Sequence, residues 1–212
     1  MLNQPLSVFI SRAVTLVIAF TIHEFAHAWS ADELGDNTPR ANGRLTLNPL
    51  AHLDPIGSLL LLVAGFGWAK PVPINPYALE RRTPAGPMMV AAAGPLSNLM
   101  LAIVAAIPFR IGLLEPSQTA GLMPTPASFL TEFIWINLIL LFFNLIPVAP
   151  LDGEKVLEYF VPAGARSTLY QLRPYGPMLL MVLIFVGPLL GLDLLSILIG
   201  WPTRQVFQAL VL

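Results

Sequence analysis

Cysteine is absent from the 212 residues, and charge is scarce. Without cysteine there is no disulfide framework, and any metal has to be held by His, Asp or Glu. Asp, Glu, Lys and Arg make up 11% of the chain, against about 25% in an ordinary soluble domain. So few charges cannot cover a water-soluble surface. A net charge of −1 gives no electrostatic footprint for nucleic acid, so no nucleic-acid partner is expected. No basic cluster precedes the first apolar run and no small-residue cleavage pattern follows it, so the N-terminus does not read as a cleaved signal. Paired halves are missing too, which argues against an inverted-repeat transporter.

What the chain has in quantity is apolar surface and helix breakers. Hydrophobic residues reach 56%, and mean hydropathy is +0.73. Lipid is the natural solvent for such a chain. The 21 prolines and 15 glycines predict short, interrupted or re-entrant elements among the spans. The expected fold is an all-α polytopic membrane protein with about 4–6 transmembrane helices, forming a single domain over 1–212. Residues 7–31 are the first span, and the polar stretch 32–55 follows. The apolar run 56–66 is too short for a clear crossing and ends in a Pro-punctuated segment, so 56–76 is expected to re-enter or form a β-hairpin. Further spans are expected at 88–111, broken by Gly94-Pro95, at 129–148 and at 178–192. A short charged helix is expected at 152–160, and the tail 194–212 is interrupted by Pro202 and Arg204.

If 56–74 re-enters without crossing, one face carries Arg40, Arg44, Lys70, Arg81, Arg82, Lys155, Arg166 and Arg173, eight of the 11 basic residues. The positive-inside rule then predicts a cytoplasmic location for these loops and an outside N-terminus.

All three histidines sit near polar signals. His23-Glu24-Phe25-Ala26-His27, close to the end of the first span, is an H-E-x-x-H pattern. On a helix, residues i and i+4 stand one above the other, so both imidazoles reach a single ion. Glu24, one residue on, is placed to take a proton from a metal-activated water without being a ligand itself. A buried polar cluster without a metal is the bland alternative, but placing an ionisable trio beside Val14-Thr15-Leu16-Val17-Ile18-Ala19-Phe20 costs several kcal/mol if it serves no purpose. A catalytic zinc takes three protein ligands, and the candidates for the third are Asp152, His52, Asp54 and Asp32. Membrane depth favours Asp152, with His52 as its main rival. Asn98, after Gly94-Pro95, and Asn144 bring side-chain amides to similar depth, either to bind a peptide carbonyl or to bond between helices. Asn137 and Glu132 read as structural.

Together these motifs resemble the site-2 protease family of intramembrane zinc metalloproteases. The resemblance rests on His23-Glu24-x-x-His27, Gly94-Pro95-x-x-Asn98 and Asn144-x-x-Pro147-x-x-Pro150-Leu151-Asp152-Gly153, in that order. Asn48-Pro49 through Gly57, and Gly67-Trp68-Ala69-Lys70-Pro71-Val72-Pro73, look like its compact prokaryotic members, which lack an added soluble domain. The resemblance implies one Zn2+ per chain held by His23, His27 and Asp152, with Glu24 as general base and Asn98 and Asn144 at the substrate. It also implies a catalytic core over about 7–160, accessory membrane segments over 176–212, and cleavage of transmembrane protein substrates within the bilayer of a prokaryotic cell membrane, with the active site toward the cytoplasm. One departure is Glu154-Lys155 after Asp-Gly, where the family carries a small residue and then Arg, so different pairing is expected around Asp152. The alternatives are a membrane metal-binding or ion-translocating protein and a zinc hydrolase of a non-protein substrate.

Overall fold

A computed structural model of the chain describes residues 5–57, 60, 67–117 and 122–212. Its first helix, α1, runs Leu6–Glu33. Residues Ser7, Ser11, Thr15, Ala19, His23, His27 and Ala31 are all buried, one every fourth position. Val14, Val17 and Ile18 are exposed on the other side. That is the arrangement lipid dictates. Small and polar residues pack inward, where they permit close helix contact, and aliphatic residues face the solvent tails.

Helix α2, Gly86–Arg110, packs against α1 and against α3, Pro126–Asn144. Sequence alone predicts a break at Gly94-Pro95, yet α2 is continuous through both Pro95 and Pro108. Each proline removes one backbone hydrogen bond, and neighbouring helices on both sides hold the course. Thr125 and Ser128 cap the start of α3 reciprocally. The helix stops at Asn144, short of the expected 148, because Pro147 disfavours helical geometry just before it. A turn through the cis Ala149-Pro150 bond leads to α4, Asp152–Phe160, which packs on α2.

The next helical run, α5, covers Ala163–Leu189 and starts well before the expected 178. Pro174 and Pro177 lie at first-turn positions of successive helical segments, where a missing N–H is no loss. Gly176 lets this run lie against the turn after α3, since a Cβ there would fall 2.1 Å from the Ala149 carbonyl oxygen. The last helix, α6, is Trp201–Val211, and it lies on α3 and α2. Helices α1, α2, α3 and α5 are long and apolar enough to cross a membrane, in keeping with an all-α polytopic protein.

The main core joins Ala102, Ala105, Ala106 and Phe109 of α2 to Ile134 and Leu138 of α3. Alanines at this seam bring the two backbones close. Much of the expected re-entrant segment, at 58–59 and 61–66, lies outside the described residues. Its described residues are helical at 56, 57 and 60 and extended over 67–75, where Ala69 makes an antiparallel bridge to Leu53 and the Lys70 N–H donates to the His52 carbonyl at 2.8 Å. Among the described residues this bridge is the only β pairing.

Candidate metal centre

His23 and His27 project from the buried stripe of α1, and Asp152 opens α4 opposite them. One ligand-type atom from each lies within 4.8 Å of the others. The two Nε2 atoms are 3.0 Å apart, and the Asp152 oxygens approach His23 Nε2 to 3.1 Å and His27 Nε2 to 3.4 Å. His27 Nδ1 donates to the Val90 carbonyl at 2.7 Å. A carbonyl only accepts, so this nitrogen holds the ring hydrogen and Nε2 presents a lone pair. His23 Nδ1 lies 2.7 Å from Asn98 Oδ1.

Three acceptor groups thus face one another in a buried space, which a cation between them satisfies. Asp152 Oδ2 is buried with no hydrogen-bond partner among the described residues. Gly94 keeps the space open, because a Cβ there would sit 2.4 Å from His27 Nε2 and 2.5 Å from His23 Nε2. Two imidazole nitrogens and one carboxylate are the donor set of a catalytic zinc with an open position. The residues present therefore fit the ion.

The rivals for the third ligand are occupied elsewhere. His52 is completely buried, with Nε2 2.7 Å from the Thr46 carbonyl. Asp54 accepts from the Gly57 N–H at 2.8 Å, and Asp32 is paired with Arg40 at 2.6 Å. Glu24 is buried beside the triad and makes no hydrogen bond among the described residues, which leaves its carboxylate available to water.

A cavity of about 790 Å³ opens from the triad between α1 and α3. Its walls include Glu24, Phe20, Trp68, Val72, Trp135 and Asn144. At its far end Arg12 of α1 pairs with Glu132 of α3 at 3.2 Å. Asn144 reaches the cavity while donating to the Leu140 carbonyl at 3.0 Å. Asn98, expected beside it at the substrate, is instead completely buried behind His23, with its amide nitrogen donating to Asn137 Oδ1 at 2.9 Å.

The extended wall 67–75 is held from the loop that continues α1. The buried Arg44 guanidinium donates to the carbonyls of Ala51, Lys70 and Pro71. Asp36, also buried, accepts from the Asn75 N–H at 2.6 Å and the Thr38 N–H at 2.9 Å. Neither residue stands out in the sequence, where both read as ordinary loop charges. Asn137 does carry a signal: it lies seven positions before Asn144, about two helical turns, and so on the same face of α3.

The pattern described as "Peptidase family M50" matches residues 111–187. The chain is 44% identical over 192 residues to the Bacillus subtilis protein named "Putative zinc metalloprotease YwhC", covering 89% of this chain and 85% of that one. It is 30% identical over 195 residues to "Putative zinc metalloprotease Rip2" of Mycolicibacterium smegmatis, covering 88% and 72%. It is 31% identical over 161 residues to "Putative zinc metalloprotease MJ0611" of Methanocaldococcus jannaschii, covering 74% of each chain. No solved structure matches the chain significantly.

Proposed function

The chain belongs to peptidase family M50 and is a zinc metalloprotease, and on that footing we propose that it cuts peptide bonds in or beside the membrane-spanning segments of other proteins. The observation that carries this reading is the His23–His27–Asp152 group, with both histidines buried, opening with Glu24 into a cavity walled by apolar helices and an extended segment. A lipid-facing enzyme with such a cavity is suited to a substrate that arrives through the bilayer.

Zinc held by these three residues supplies a lowered water pKa and a Lewis acid for the scissile carbonyl. The chain's own groups do the rest. Glu24 accepts a proton from the attacking water as its oxygen adds to the carbonyl carbon. The same proton then passes to the departing amine nitrogen as the C–N bond breaks. Asn144, on the cavity wall, is placed to donate to the developing oxyanion once it releases the Leu140 carbonyl.

A transmembrane helix satisfies its backbone internally, so a substrate has to unwind before it is cut. Residues 67–75 are already extended along the cavity and offer backbone groups to such a segment. Arg40, Arg44, Lys70, Arg81, Arg82 and Lys155 lie outside the four long apolar helices and flank the site, which supports a cytoplasmic opening in a prokaryotic cell membrane.

The test pairs zinc quantification with cleavage of a panel of single-span membrane proteins. Glu24→Gln should keep zinc and lose cleavage by a factor of about 100 or more. Wild-type turnover in this variant would remove Glu24 as the base. A wild-type protein that holds zinc yet cuts none of the panel would count against the membrane substrate.

A further inference from the structure

Two fully buried amides lie behind one of the zinc ligands, and a chain of three hydrogen bonds orients them. Asn137 Nδ2 donates to the Phe133 carbonyl at 2.9 Å. That backbone oxygen accepts only, so it decides which end of the Asn137 amide is nitrogen. Asn137 Oδ1 is therefore turned toward α2, where it accepts from Asn98 Nδ2 at 2.9 Å. This leaves Asn98 Oδ1 facing His23 Nδ1 at 2.7 Å. An amide oxygen cannot donate, so His23 carries its ring hydrogen on Nδ1 and turns the Nε2 lone pair to Asp152 and His27.

We propose that Asn137 is a positioning residue that, through Asn98, holds His23 in the tautomer able to bind zinc. This rests on the zinc-peptidase reading and adds to it a residue that never touches the ion. Reversing the Asn98 amide would aim an NH2 group at His23 Nδ1, move the ring hydrogen to Nε2 and block the ligating nitrogen. With Asn137 in place, that reversal also sets two oxygens against each other, Asn98 Oδ1 and Asn137 Oδ1. The relay therefore forbids the wrong tautomer twice over.

The two histidines reach the same state by different routes. His27 takes its orientation directly from a backbone carbonyl, Val90, one helix away. His23 takes it from Phe133, two helices away, through two side chains. Its tautomer is consequently tied to the packing of α3 on α2. The competing account is that Asn98 and Asn137 only bond the helices together. That account predicts a loss of folded protein for any change at Asn137, with no specific effect on His23.

Two substitutions in the full chain, purified in detergent, separate these accounts. Asn137→Asp is the conservative variant: buried and protonated, its hydroxyl donates to Phe133 while its carbonyl accepts from Asn98. Asn137→Leu abolishes both bonds at similar volume. The chain has three histidines, so histidine-selective 15N spectra of the metal-free protein can resolve the tautomer of each. Zinc affinity is read separately by chelator competition. Wild type and Asn137→Asp should show His23 with the hydrogen on Nδ1 and zinc affinities within about threefold of each other. Asn137→Leu should show a mixture at His23 and a zinc affinity lower by about 10-fold to 100-fold, the range for a lost outer-shell partner. Unchanged His23 spectra and zinc affinity in Asn137→Leu would overturn the proposal. So would an Asn137→Asp protein that folds but loses the tautomer, and this arm still decides if Asn137→Leu does not fold. Cleavage plays no part in either readout, so a failure of the peptidase reading stays distinguishable.

Discussion

Gly94 of α2 faces His27 of α1 so closely that a Cβ on the glycine would lie 2.4 Å from the His27 Nε2. The glycine is where two helices meet across the candidate metal centre, and its missing side chain leaves room beside both imidazoles. Alanine is the better helix former by about 1 kcal/mol, so Gly94→Ala should leave α2 intact or slightly firmer. Zinc affinity should nevertheless fall by about 10-fold or more, because the methyl group displaces both imidazoles. Chelator competition on folded Gly94→Ala protein measures this, and wild-type affinity would show that the histidines do not ligate where they now stand.

Asp152 is half-buried and His52 fully buried, and they have different partners. Asp152 contacts the two imidazoles, whereas His52 is taken up by the Thr46 carbonyl. Asp152→Ala should reduce bound zinc to a small fraction of one per chain. His52→Ala should keep zinc and lower stability by about 1–3 kcal/mol, since a fully buried side chain and its hydrogen bond to the Thr46 carbonyl are both lost. Metal analysis beside thermal unfolding in detergent distinguishes the two variants. Zinc loss confined to His52→Ala would exchange their roles.

The histidine pair is legible because helical spacing alone puts i and i+4 on one face, and scarcity of charge makes His23, Glu24 and His27 conspicuous. Asp152 is legible by depth, since two spans end on the same side. Helix α4 appears over the expected 152–160 because its polar face contrasts with the spans around it. Gly94-Pro95 misleads because breaker residues predict a break only where nothing else holds the backbone, and α2 is packed on both sides. Asn98 is harder still. Its amide could point at substrate or between helices, and that depends on a rotation about α2 that no local pattern records. The early start of α5 is hidden for a related reason, as Pro174 and Pro177 fall where a helix tolerates them.

Arg173, in α5, donates to Glu154 at 2.6 Å and to Glu158 at 2.9 Å, so it fastens the accessory helix to the one that begins with Asp152. Glu154-Lys155 after Asp152-Gly153 predicts different pairing around Asp152, and this contact is where Glu154 goes. Burial pushes the Glu158 carboxyl up, but the Tyr170 hydroxyl, Lys155 and Arg173 outweigh it and hold it below the ordinary range. The sign of the pH effect follows. A depressed carboxyl contributes stability above its unfolded value, about 4.3, and that contribution is lost as pH falls through the lower folded value. Arg173→Ala brings the folded value back toward the unfolded one. The variant should therefore melt below wild type at neutral pH, and the gap should narrow as the solution is acidified past about pH 4. Glu158→Gln should flatten the same part of the profile. Melting curves in detergent across the acid range measure both. A gap that stays constant on acidification would mean that the charge pairing of Arg173 with Glu158 does not set the stability of the contact between α5 and α4.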